Sequence, residues 1–257
     1  MIKAFKSDKL KIKIFKTREE MGFEAAKEAA RLIRTMLKEK DYLNIIFAAA
    51  PSQNDFLSSL IKEEDIEWNR IRAFHMDEYI GLSKDAPQGF GNFLKAAIFD
   101  KVVFKEVNYL YDEHLNAEAN CARYESLLEK YPADLVFMGI GENGHIAFND
   151  PHVARFDDHE KVKVVDLDLI CRTQQVNDGC FQKLEDVPTH ATTLTIPALM
   201  RGKKMFCMVP TERKDIAVKL TVEGSINESC PASVLRQHPD ATLFLDRDSA
   251  ALLNVKV

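Results

Sequence analysis

The sequence predicts an α/β fold: a three-layer, Rossmann-like, doubly wound arrangement around a mostly parallel sheet. Three observations carry that prediction. Short apolar runs alternate with helical stretches, many of them ten or more residues long, along nearly the whole chain. Crossovers of that length return the chain parallel and right-handed. No Pro/Gly/Ser linker, internal repeat or low-complexity tract interrupts the 257 residues, so they read as a single domain. Polar residues of catalytic type also gather just after the apolar runs, and in such sheets the ligand lies beyond the carboxyl ends of the strands.

Each element has its own signal. Residues 10–15 (LKIKIF) alternate polar and apolar, as a half-exposed strand does. Thr17-Arg-Glu-Glu20 has capping-box spacing and opens an amphipathic helix through about Lys38. The apolar run 44–50, a helix over 54–61 and a strand over 71–76 follow. Next come a helix over 92–99, a strand at 107–111, a helix over 116–130 and a strand at 135–140. Residues 162–167 read as extended, 204–209 as a buried strand and 242–245 as the last one. Pro231 opens a helix at PASVLRQH, proline standing in its favoured first turn.

Composition narrows the function. A balance of 46% hydrophobic and 29% charged residues is that of an ordinary globular protein. A net charge of -5 provides no basic field for nucleic acid or an anionic membrane, so an anionic ligand needs local cations. The N-terminal MIKAFKSDKLKIKIF lacks a signal-peptide core and no run is long enough to span a bilayer, so a cytoplasmic protein is expected. The scattered cysteines (Cys121, Cys171, Cys180, Cys207, Cys230) have no C-x-x-C spacing. They read as free thiols rather than a zinc site or disulfide frame, and no metal or cofactor is expected.

Four loops after predicted strands hold the candidate site. In the first, AAAPSQND, Ser52, Gln53 and Asn54 either start a helix or, with its free backbone N–H groups, cradle a phosphate; the glycines of a Walker loop are missing. In the second, Asp77 and Glu78 are adjacent acids between Met76 and Tyr79; either they are solvated, or burial raises one toward a proton-transfer role. The third, Gly139-Ile-Gly141-Glu-Asn143-Gly-His145, holds an imidazole among permissive residues, with Asn143 and Asp150 near enough to orient it. In the fourth, Lys214 stands in the first turn of a helix, against the helix dipole, which suggests a neighbouring anion. Arg172, in CRTQQVNDG, is a second candidate cation, or a surface ion-pair partner.

GIGENGHIAFNDP resembles the signature of the glucosamine-6-phosphate deaminase/isomerase family, and MDEYIGL resembles that family's catalytic-acid loop. The resemblance covers about residues 18 to 250. It implies that Asp77 moves a proton between C2 and C1 of an open-chain amino-sugar 6-phosphate, with Glu78 its companion. It implies that His145 opens the pyranose ring with Asp150 in support, and that Arg172 and Lys214 bind the phosphate. The related 6-phosphogluconolactonases share a G-x-D-G-H, but the I-A-F-N-D-P continuation is similar to the deaminase/isomerase side.

The sequence departs from the family pattern in three places: Asn143 replaces an aspartate, Asp150 a glutamate, and AAAPSQN a loop rich in glycine and threonine. These departures point to a distinct branch, whose substrate is either glucosamine or galactosamine 6-phosphate. A lactonase or another sugar-phosphate isomerase on the same fold, and a non-catalytic sugar-phosphate sensor, are the alternatives. No helix-turn-helix sequence precedes the domain, which speaks against the sensor. The partner expected is a small molecule; a homo-oligomer is compatible with the resemblance. Residues 85–91 are a candidate lid on their glycine content.

Overall fold

The apolar runs at 43–47, 135–138, 204–209 and 241–245 are buried along nearly their whole length. Strands covered on both faces have this pattern. In the computed structural model, which describes residues 1–255, they form the middle of an eight-stranded sheet.

The elements in chain order are β1 (Lys3–Ser7), β2 (Leu10–Ile14), α1 (Arg18–Glu39), β3 (Leu43–Phe47), α2 (Asn54–Leu60) and β4 (Ile71–His75). Then follow β5 (Asp77–Tyr79), α3 (Phe90–Leu94), β6 (Glu106–Asn108), α4 (Ala117–Lys130), β7 (Leu135–Met138) and β8 (Val162–Asp166). The last are α5 (Leu169–Asn177), β9 (His190–Leu194), α6 (Ile196–Met200), β10 (Lys204–Val209), α7 (Asp215–Glu223) and β11 (Ala241–Leu245).

The main sheet runs β1-β2-β11-β10-β7-β3-β4-β6, parallel except for the β1–β2 pair. Its two faces carry separate cores. On one, Phe47, Phe137, Phe206 and Phe244 form a row across four adjacent strands, with ring centroids 5.4, 5.7 and 5.5 Å apart. The small face of α1 (Ala25, Ala26, Ala29, Ala30) belongs to the same core. On the other, Ile46, Val136, Cys207 and Leu243 are buried with Tyr124, Leu199 and Leu235. Helices therefore cover both sides, and the three-layer expectation holds. Thr17 caps α1 by accepting the Glu20 N–H at 3.2 Å, as the capping-box spacing predicts.

From β3 the chain steps outward through β4 and β6 on one side, and from β7 through β10 and β11 on the other. Strand order thus reverses between β3 and β7, which is where a doubly wound sheet opens a crevice.

The structure also corrects the sequence reading. A second, antiparallel sheet, β5-β9-β8, is present; only β8 was expected from the sequence. The candidate acids at 77 and 78 lie on its short first strand, not in a loop. Residues 169–177 form helix α5, so Arg172 is helical rather than in a polar loop. The expected helix at 92–99 is α3 continued by a π-helical turn, Lys95–Phe99. The turn at PASVLRQH is 3₁₀ rather than α.

Candidate active site

A cavity opens at the carboxyl ends of β3, β4, β7 and β10, and the loops after all four strands line it. Ser52, Asp77, Gly141, His145 and Lys214 are brought together there from four segments of the sequence.

Lys214 closes one wall. Its side chain is 5% exposed, and its ammonium has no hydrogen-bond partner among the described residues. Burial pushes it below the ordinary lysine value, partly opposed by the carboxylates of Asp178 and Glu142. A buried, unpaired cation at a cavity wall is a site waiting for an anion. Beside it Thr211, a β-branched residue, is held at φ 78°, where its N–H reaches both oxygens of Asp246 at 3.2 and 3.0 Å. Strain of this kind collects at ligand sites.

Ser52 faces the cavity, and its hydroxyl accepts from Gln53 Nε2 at 3.1 Å. Gln53 turns inward, its amide also reaching Met208 O at 3.3 Å, so it supports Ser52 from below. Asn54 is exposed as the first residue of α2 and lies off the cavity.

Arg172 is likewise elsewhere. Its guanidinium donates to the carbonyls of Leu184 and Val187, both at 2.9 Å, and ties down that turn. The second cation at the cavity is Arg18, braced on Asp55 at 2.7 Å and on Pro51 O at 3.1 Å. Arg18 is the first residue of a helix. The cue that singles out Lys214, a cation against the helix dipole, points to it equally.

Asp77 forms part of the opposite wall. It is 7% exposed, and burial first, then the charge of Glu78, push its carboxyl well above the usual range. The backbone of Asp77 is fixed by His75. That imidazole accepts the Leu110 N–H on Nε2 at 2.9 Å, so its proton is on Nδ1, which donates to Asp77 O at 2.9 Å. Glu78 does not share the cavity. Its carboxylate accepts the N–H groups of Tyr79, Phe90 and Gly91 at 2.9, 2.9 and 2.8 Å. It therefore anchors the end of the 85–91 segment, whose Phe90 lines the cavity.

His145 sits where only glycine could face it. A Cβ on Gly141 would fall 2.2 Å from His145 Cε1. Gly144 turns the chain at φ 83°, and Ala147 continues it at φ 48°. His145 Nδ1 lies 3.0 Å from Asp150 Oδ1, close enough for an ion pair, although its N–H direction does not run along that contact. The His145 backbone N–H is held by Asn143 Oδ1 at 3.0 Å, and Asn143 Nδ2 donates to Asp150 Oδ1 at 2.9 Å. Burial alone would raise Asp150; contacts with His145, Asn143 and the Asp168 N–H outweigh it and hold the carboxyl below its ordinary value. Asn149, fully buried, donates to Ile146 O and Leu194 O, both at 2.9 Å, and pins the loop to β9 of the second sheet.

The sequence also passes over Gln174 and Gln175. Both are buried on α5 and line the cavity, while Leu169 and Ile170 on the same helix are 63% and 54% exposed. That inverted pattern hides the helix from a hydrophobic-period reading and presents amides to the site.

A buried cation, a raised carboxyl and an oriented imidazole around one cavity suit acid–base chemistry on an anionic substrate. Known proteins agree. The sequence model of the family described as glucosamine-6-phosphate isomerases/6-phosphogluconolactonase matches residues 16–244. A glucosamine-6-phosphate deaminase of Listeria innocua is 35% identical over 228 residues, covering 89% of this chain and 95% of its own. One from Bacillus cereus is 32% identical over 243 residues, covering 95% and 89%. The solved structure of a monomeric glucosamine-6-phosphate deaminase is similar with TM-score 0.84 and 29% identity, over 94% of this chain and 99% of that one. A 6-phosphogluconolactonase from Thermotoga maritima, at 20% identity and TM-score 0.74 over 93% and 100% of the two chains, shares the fold. The chain belongs to the glucosamine-6-phosphate isomerase/6-phosphogluconolactonase family.

Proposed function

We propose that this chain deaminates and isomerises an amino-sugar 6-phosphate, giving a ketose 6-phosphate and ammonia. One observation carries the reading: a buried, unpartnered Lys214 ammonium shares a cavity with the raised carboxyl of Asp77 and the imidazole of His145.

The phosphate takes the wall formed by Lys214, Arg18 and Ser52, where a charged acceptor satisfies the orphaned ammonium. His145 moves the proton that opens the pyranose, with the Asp150 carboxylate beside Nδ1 offsetting the imidazolium charge. Asp77, ionised, takes the C2 proton of the open aldose while O1 takes up a proton from solvent, given back when the iminium is hydrolysed, leaving an enolamine. It returns a proton to C1, which becomes a hydroxymethyl carbon while C2 becomes an iminium. Water adds at C2 and ammonia leaves, so one water is consumed and the ketone remains. Apart from the departure of ammonia, every step is a proton transfer or hydration, and the carboxyl and imidazole of the cavity are the groups such steps use.

The test is ammonia release from glucosamine 6-phosphate and galactosamine 6-phosphate, beside a His145→Ala control. Turnover of either sugar, lost in the control, supports the reading and names the sugar. Acid release from 6-phosphogluconolactone, with no ammonia from either amino sugar, assigns the cavity to a lactonase instead.

A further inference from the structure

We propose that Asp168 is a positioning residue for this reaction, acting through Asn143 on the His145–Asp150 pair; the proposal rests on the deaminase reading above.

Asn143 is the hub. Its carbonyl oxygen accepts the His145 backbone N–H at 3.0 Å, and its NH₂ donates to two carboxylates, Asp150 Oδ1 at 2.9 Å and Asp168 Oδ2 at 3.0 Å. The reversed amide would set its NH₂ against an N–H and its oxygen against both carboxylates, so the network admits one orientation. Asp168 closes the circuit from the other side. Its backbone N–H donates to Asp150 Oδ2 at 3.2 Å, and its other oxygen caps α5 by taking the Cys171 N–H at 2.5 Å. One residue thus holds the second oxygen of Asp150, sets the Asn143 amide, and fixes the start of the helix that carries Gln174 and Gln175 into the cavity.

Two negative groups meet at one neutral donor, so the identity of residue 143 depends on Asp168. A carboxylate at 143 would face both Asp150 and Asp168 with no proton between them, and like charges at hydrogen-bond distance repel. Replacing the amide by an acid therefore disrupts the site, and converting Asp168 to an amide relieves part of the conflict by supplying a donor.

The experiment compares Asn143→Asp, Asp168→Ser, Asp168→Asn and the double variant Asn143→Asp/Asp168→Asn. Serine keeps the helix cap but leaves no second oxygen for Asn143. Asn143→Asp is expected to lower kcat about tenfold or more at pH 8, with KM little changed. The double variant regains about fivefold or more over Asn143→Asp, a recovery that coupled residues show and independent ones do not. Asp168→Ser lowers kcat several-fold at unchanged melting temperature. Wild-type kcat in Asn143→Asp at pH 8, a double variant no better than Asn143→Asp, or wild-type kcat in Asp168→Ser each overturns the proposal. The ¹⁵N chemical shifts of the His145 ring, followed against pH in all variants, read the same network without substrate. They must move in Asn143→Asp and move back in the double variant even if the wild type releases no ammonia, which separates this proposal from the deaminase reading.

Discussion

Asp77 and Glu78 are adjacent in sequence and opposite in space: Asp77 lines the cavity, and Glu78 turns away to bind three backbone N–H groups. The cause is the period of two in β5, which sends successive side chains to opposite faces. Among the described residues no hydrogen-bond donor reaches the Asp77 carboxyl, which is left for chemistry, and Glu78 is saturated with donors for structure.

The two acids should therefore fail in different ways. Asp77→Asn is expected to melt higher than the wild type at neutral pH. The sign follows from linkage: a carboxyl raised in the folded state adds stability at low pH that is lost as pH climbs through its folded value. Glu78→Gln loses acceptor capacity for buried N–H groups and should melt several degrees lower, by about 1–3 kcal/mol. Thermal melts of both variants at pH 5 and pH 8 check this.

The pH profile of kcat/KM should be a bell. Activity rises as Asp77 ionises, above the usual carboxylate range, and falls as Lys214 loses its proton, below the usual lysine value. Because the Glu78 charge helps to raise Asp77, Glu78→Gln should move the acid limb to lower pH. An acid limb at the ordinary aspartate value in the wild type contradicts the assignment.

At the phosphate wall, Lys214→Met and Arg18→Met should each raise KM by about 10–100-fold, the range of a charge-assisted hydrogen bond. Arg172→Met should leave KM within about twofold and lower the melting temperature, because its guanidinium serves two carbonyls of its own turn. Steady-state kinetics of the three variants separates the cations.

Gly141→Ala should fold and lose most of its turnover. Its Cβ would stand 2.2 to 2.4 Å from three atoms of the His145 ring, so the imidazole must leave its position. A loss in kcat of about 100-fold or more is expected, as for other displacements of a catalytic group.

Much of the fold was legible because the central strands announce themselves as apolar runs and α1 carries its cap in sequence. The small sheet was not: β5 is three residues long, and β9 reads HATTL, with too few apolar residues to show a period. In the site, the strand-end loops mark Ser52, Asp77, His145 and Lys214, since a parallel sheet presents its loops at one edge. Side-chain direction is what sequence position withholds. Arg172 and Glu78 are near the cavity in sequence yet bond to backbone groups away from it, whereas Arg18 reaches it from the start of α1. Asn143, a departure from the family pattern, makes physical sense only once Asp168 is seen across from it.

The most direct measurement is ammonia release by Asp77→Asn set against the wild type, on whichever amino-sugar 6-phosphate the wild type turns over. A base that must take the C2 proton cannot be replaced by an amide, so the rate should fall about 100-fold or more with the substrate still bound. A variant that keeps most of the wild-type rate would contradict the account, because no other buried, raised carboxyl lines the cavity among the described residues.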